Sequence, residues 1–249
     1  MYSWKKGIGL ILKVIKNIIR FILLIIIIAV GIFVYKGYTI YKQALDNMSV
    51  AEKVAKIQSE ENYTRLDDMS DFYLDAVIAV EDRRFYKHGA ADPIAIGRAI
   101  FVNVKSMELR EGGSTITQQL AKNIYFTQEK SALRKIAEIF MAYEIEKNCN
   151  KDTILELYLN TSYFGNGYYC VYDASKGYFG KEPKDMNRNE ASMLAGIPNA
   201  PSAYAPNKHL DLALQRQEQV LDKMVKYKFI NEEDKKEILQ EENAVVTNK

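Results

Sequence analysis

The stretch Phe21–Tyr35 reads FILLIIIIAVGIFVY and carries no charge. Extended by Ile18 and Ile19 on one side and by Tyr38 to Tyr41 on the other, it reaches the ~20 residues that ~30 Å of hydrocarbon requires. Arg20 and Lys36 stand where their side chains can snorkel to the two interfaces. A cleaved signal peptide has a shorter apolar run and a small-residue cleavage site, and neither description fits here. The unbroken series of large apolar residues from Phe21 to Ile28 also argues against a buried helix of a soluble protein. Lys5, Lys6, Lys13, Lys16 and Arg20 precede the span and few bases follow it closely, which predicts a cytoplasmic N-terminus. Everything from about residue 42 onward is then expected outside the cell membrane, as one external domain on a single-pass anchor.

Charge supports this division. Residues 1–45 hold seven of the 34 bases and none of the 32 acids, so the remainder is net acidic. An acidic remainder excludes a nucleic-acid-binding domain. A hydrophobic fraction of 48% with 13 Gly, 5 Pro and 2 Cys excludes a disordered tail, a collagen-like fibre and a disulfide-stapled miniprotein. What remains is one globular domain, or at most two small ones. Cys149 and Cys170 either pair outside the membrane or stay as two buried free thiols.

Beyond a polar, partly helical stalk, helical patterns dominate and strand-like alternation is scarce, so the domain is expected to be mainly α. Ser70 can cap a helix through FYLDAVIAVEDRRF, apolar on nearly all sides and so buried. Ile94 to Val104 makes a second helix, and the polar stretch from Lys105 to Gly113 has the character of a loop. Ser114 or Thr115 starts another. Ser131 can cap ALRKIAEIFMAYEIEK, and Asp152 opens a helix through Ile154, Leu157 and Tyr158. Asn187 and Glu190 form a capping-box pair before ASMLAGI, which Pro198 stops. Leu210 to Tyr227 is a long amphipathic helix, and Asn231 caps a last short one.

Among the chemical constellations, several are absent. Only His88 and His209 exist, far apart, and no HExxH or CxxC occurs, which argues against a zinc site. No GxxxxGK[ST], no strand-borne GxGxxG and no GxSxG elbow is present. Carboxylates remain. Glu81 follows the apolar run DAVIAV, and shelter from Val77, Val80 and Phe85 would raise its pKa toward that of a general base or acid. Equally, it could be a helix C-terminal carboxylate paired with Arg84. Glu138 lies one turn after Arg134, the spacing of an ordinary surface ion pair. Lys122, Lys130, Arg134 and Lys135 are either solvated helix faces or an anion clamp suited to phosphate.

Taken together, these residues resemble a known family. Glu81-Asp-Arg-Arg-Phe85-Tyr-Lys-His88-Gly89 is similar to the EDxxFxxHxG signature of the peptidoglycan glycosyltransferases, membrane enzymes that polymerise lipid II. Gly113-Ser-Thr-Ile-Thr-Gln-Gln-Leu-Ala-Lys122-Asn123 resembles that family's GSTITQQLxKN motif, and Arg134-Lys135-Ile-Ala-Glu138 its RKxxE motif. Lys151 to Asn160 with Tyr163-Phe-Gly165-Asn-Gly167 resembles the KxxIxExYLN…YFGxG block. Glu190 with Ala195 to Pro201 resembles the closing motif. The resemblance runs over residues 66–230 or so, in the family's order.

The resemblance implies a lysozyme-like, mainly α glycosyltransferase head and a smaller jaw beside the membrane, the jaw holding Ile94–Val104 and the loop before Gly112. With the anchor this divides the chain into a cytoplasmic tail (1–17), a transmembrane helix (18–40), a stalk (41–65), the glycosyltransferase domain (66–235) and a C-terminal tail (236–249). No SxxK…SxN…KTG set follows, so a monofunctional transglycosylase of a bacterial cell membrane is expected. By resemblance Glu81 is the catalytic base, and Glu138 a supporting catalytic carboxylate that orients the cations or helps hold Mg²⁺ or Mn²⁺ on the diphosphate; no organic cofactor is expected. Lys122, Lys130, Arg134, Lys135, Ser114, Thr115, Gln118, Gln119, Asn123 and Asn160 are expected to bind substrate. Asp82, Phe85 and His88 are expected to support the Glu81 loop. Lipid II, the lipid-linked glycan chain, membrane lipid and other wall-synthesis proteins are the implied partners. Two rival readings are a lysozyme-like lytic transglycosylase and an inactive wall scaffold on a membrane anchor.

Overall fold

The computed structural model describes residues 2–107, 112–127, 131–241 and 245, with side chains of the first helix described from Lys13 onward. Among the described residues the secondary structure is helical, with no strand. Helix α1 (Tyr2–Asn47) contains the apolar span and is followed by α2 (Val50–Gln58), α3 (Asp71–Glu81) and α4 (Pro93–Ser106). Next come α5 (Ile116–Tyr125), α6 (Ala132–Asn148), α7 (Lys151–Leu159) and α8 (Val171–Phe179). The chain closes with α9 (Arg188–Gly196), α10 (Leu210–Lys226) and α11 (Glu232–Gln240).

Helix α3 lies at the centre. Tyr73 and Ala76 to Val80 are all buried, and the helix packs chiefly on α9 and α10. That is the outcome expected of a segment apolar on nearly every side. Local capping explains most of the boundaries. Thr115, rather than Ser114, caps α5 by accepting from the Gln118 N–H. The Asn187–Glu190 and Asn231–Asp234 capping boxes open α9 and α11. Ser70 and Ser131 occupy N-cap positions without a side-chain capping bond, and α7 begins at Lys151 under an Asn150 cap rather than at Asp152.

Two expected boundaries differ. The stretch read as a stalk does not stand off from the domain: α1 continues to Asn47 and packs along α6. Tyr38 and Tyr41 lie on Phe140 at ring-centroid distances of 5.4 and 5.8 Å. A Cβ at Gly37 would run into Ile136, 2.6 Å from that residue's own Cβ, so glycine is what allows the two helices to touch. Asn62 to Leu66 are docked in turn through Asp173, Glu156 and Asn160. At the other end, α11 is no tail: Ile238 is fully buried, and Arg188 Nε donates to Glu241 Oε1 at 2.7 Å.

Helix α4 is largely exposed. Asp92 caps it and Pro93 starts it, but Ala99 is its only buried residue, while Ile94, Ile100, Phe101 and Val104 are exposed. Residues 108–111 of the expected jaw loop lie outside the described residues. Cys149 and Cys170 are free thiols, both pushed up by burial, Cys170 to about 11.

Candidate active site

Helix α3 ends at Glu81, and its end is set by what Asp82 does. Asp82 leaves helical geometry, turns inward and becomes buried. One of its oxygens lies 2.8 Å from His88 Nε2, and the other accepts from the Ile116 N–H at the start of α5, 3.1 Å away. The first turn of a helix has free N–H groups and a positive dipole end, a natural seat for a carboxylate. Asp82 and His88 thus brace the Glu81 turn against α5, and Phe85 is fully buried beneath it with the Lys151 ammonium 4.4 Å from its ring.

Glu81 is left at the wall of a cavity of about 850 Å³. Gln119, four residues into α5, donates from Nε2 to Glu81 Oε2 at 2.8 Å. The neighbouring Gln118 faces elsewhere: its amide and the Thr115 hydroxyl both donate to the Ala90 carbonyl, at 3.2 and 2.8 Å. Both residues were expected to bind substrate. They touch the cavity, but these polar groups hold the loop after His88.

A cationic group lines the same cavity. Glu138 of α6 is 2% exposed, with Arg134 Nε 2.8 Å from one oxygen and Lys135 Nζ 3.1 Å from the other. The Arg134 contact is an ion pair without hydrogen-bond alignment, and the same guanidinium donates from Nη1 to the Thr127 carbonyl. Lys135 also donates to Ser114 Oγ at 2.8 Å. Lys122 of α5 faces this group; burial pushes its ammonium pKa down, the charges of Arg134 and Lys135 push the same way, and Glu138 and Glu81 oppose them. Three cations around one carboxylate leave net positive charge, the electrostatics of an anion site.

The expected residues are therefore mostly brought together. Glu81, Ser114, Gln119, Lys122, Arg134, Lys135 and Glu138 line one cavity. Asn160 does not join them: it pairs with both the N–H and the carbonyl of Thr64 at 2.8 Å, a clamp on the segment once read as stalk. Asn123 is not part of the cavity wall. Lys130 lies outside the described residues.

Other wall residues were not singled out from the sequence. Arg216 and Lys223 line the cavity from α10, Lys223 donating to the Val80 carbonyl at 3.2 Å. Arg83 covers the Tyr227 ring at 4.4 Å. Arg216 and Lys223 are two turns apart on one face of an amphipathic helix, a signal present in the sequence but shared with any solvated face.

Among the described residues, no group of side chains offers a seat for a divalent ion built from protein ligands alone. Asp82, His88 and Asp92 place ligand atoms within 4.8 Å of one another, yet each is engaged: Asp82 by His88 and Ile116, Asp92 by Arg84 at 2.9 Å and by the Ile94 N–H. Both oxygens of Glu138 already face cations. A metal held there by protein ligands alone would have to displace them.

Comparison with known proteins adds the following. Residues 47–225 match the family described as Transglycosylase. The chain is 40% identical over 203 residues to penicillin-binding protein 1A of Neisseria lactamica, covering 81% of this chain and 25% of that protein. It is 43% identical over 175 residues to penicillin-binding protein 1A of Aquifex aeolicus, covering 70% and 24%. To penicillin-binding protein 1F of Bacillus subtilis it is 47% identical over 150 residues, covering 60% and 21%. The chain thus spans about a quarter of the length of these relatives. A crystal structure of penicillin-binding protein 1A from Haemophilus influenzae aligns at 23% identity with a TM-score of 0.45, covering 74% of this chain and 18% of that one.

Proposed function

Because the chain belongs to the transglycosylase family, we propose that it polymerises lipid II into β-1,4-linked glycan strands of peptidoglycan, releasing lipid diphosphate. The observation that carries this reading is that the Glu81 carboxylate and the Lys122, Arg134 and Lys135 cations line one cavity. Gln119 holds Glu81 Oε2, which leaves Oε1 to accept the proton of the acceptor sugar's 4-hydroxyl. That oxygen attacks the anomeric carbon of the lipid-linked glycan, the bond to the diphosphate breaks, and the electron pair leaves with the diphosphate. One displacement inverts the anomeric centre, so no glycosyl-enzyme is required. The cations stabilise the negative charge as it builds on the leaving group. No step is routed through a metal.

Helix α1 carries a segment, Lys13–Asn47, long and apolar enough to cross a membrane. In this reading the N-terminus is cytoplasmic and the domain extracytoplasmic, with Ile94, Ile100, Phe101 and Val104 of α4 turned to the bilayer that holds the substrate's lipid tail. The full chain incubated with lipid II should yield glycan polymer. Degradation of preformed glycan would instead support the lytic reading, and no reaction with either would support the scaffold.

A further inference from the structure

The block from Lys151 to Asn160 contributes neither the base nor the cations, yet Tyr158 from its middle points at the base's neighbour. Tyr158 is 1% exposed on α7, and its hydroxyl donates to Gln119 Oε1 at 3.3 Å. The other end of the same amide donates to Glu81 Oε2 at 2.8 Å. A glutamine amide is nearly the same shape in both orientations, but only one presents N–H to a carboxylate. In the reverse orientation its carbonyl oxygen would face the carboxylate, two acceptors against each other.

We propose that Tyr158 is a positioning residue for the base: acting through Gln119, it holds the amide in the orientation that secures Glu81 Oε2 and leaves Oε1 for the acceptor hydroxyl. The proposal rests on the reading of Glu81 as the base. Burial and the nearby charge of Glu81 push the Tyr158 phenol well above its ordinary range, so it remains a donor wherever the enzyme works. Other ionisable groups line the same cavity or stand on the helices packed on α3, with Asp82, Arg83, Arg84 and Arg216 among the former. Tyr73 on α3 is a buried phenol raised by burial and by the charge of Glu81. Lys122 faces it from α5, and beyond lie Arg134, Lys135 and Glu138 of α6. Lys223 of α10 is bonded to the Val80 carbonyl, and Glu190 of α9 is engaged by Lys181 at 2.9 Å. None of these donates to Gln119 Oε1 in the described hydrogen bonds.

The experiment is a pH profile of lipid II polymerisation by the full-length protein. Tyr158→Phe removes one oxygen from a packed ring. Its kcat should fall about fivefold, the usual worth of one hydrogen bond, with KM little changed. The acid limb of the profile should move to higher pH, because the reacting carboxylate has lost its held donor. In a Gln119→Met background, where the relay is already cut, Tyr158→Phe should add nothing. A wild-type acid limb in Tyr158→Phe, or an undiminished loss in the Gln119→Met background, overturns the proposal. Should Tyr158→Phe fail to fold, Gln119→Met alone must show the acid-limb shift, and its absence overturns the relay. Glu81→Gln separates the two levels: if it polymerises normally the base assignment falls, whereas an inactive Glu81→Gln beside an unaltered Tyr158→Phe removes only the relay.

Discussion

Glu81 and Glu138 line one cavity, and their surroundings differ in kind. Glu81 ends a helix buried on nearly all sides, and the side chain hydrogen-bonded to it is a neutral amide. Glu138 sits within a helix, its two oxygens against two cations with a third nearby. A carboxylate held by a neutral donor keeps an oxygen able to take a proton. A carboxylate between cations is committed to fixing where those cations point. In the proposed mechanism the same side chain therefore serves as reactant at Glu81 and as scaffold at Glu138.

The comparison breaks most readily at Glu81. Glu81→Gln keeps shape and hydrogen bonding but cannot accept the proton, so turnover of lipid II should fall by about 10²–10⁴ while melting temperature and lipid binding hold. Glu138→Gln should lose turnover and stability together, since it removes a buried partner of Arg134; a charge-assisted contact of this kind is worth about 1.5–3 kcal/mol. Supplying Mg²⁺ or Mn²⁺ should not distinguish the two variants. A Glu138→Gln protein rescued by a divalent ion would restore the metal role that the ion pairs argue against.

Next in size are the cations. Lys122→Ala and Arg134→Ala should each lower kcat/KM by roughly 10- to 100-fold, with a smaller effect on melting temperature. If either simply unfolds, its charge was structural. The back of α6 comes third. Substituting Gly37→Val forces α1 off Ile136, an overpacking cost of about 1–3 kcal/mol, and displaces the helix that carries Arg134, Lys135 and Glu138. Activity should drop in detergent as well as in vesicles. A drop confined to vesicles would mean that α1 acts only as an anchor.

The smallest effect concerns Lys122 and pH. Its lowered pKa means that the charged form is lost at lower pH than for an ordinary lysine, near 10.4. The alkaline limb of kcat/KM should lie below that value, and Lys122→Arg should carry the limb upward. An alkaline limb that ignores this substitution would assign it to another group.

Much of this architecture was written locally. The uncharged run Phe21–Tyr35, the capping pair Asn187–Glu190 and the all-round apolar α3 each follow from chain neighbours within a turn or two, so the sequence determined the span, the helices and the central helix. The five motifs also determined which side chains to watch. Other matters depended on contacts between residues distant in the chain, which periodicity cannot specify. Gln118 and Gln119 are adjacent and chemically equal, but about 100° of helical rotation sends one to the Ala90 carbonyl and the other to Glu81. Asn160 belongs to a motif, yet its partner is Thr64. Residues 41–65 are polar, as a free stalk would be, but contacts such as Gly37 with Ile136, Tyr41 with Phe140 and Asn62 with Asp173 draw the chain against the domain. Burial of one helix against another depends on matching surfaces contributed by both, and a single segment records only its own half of that match.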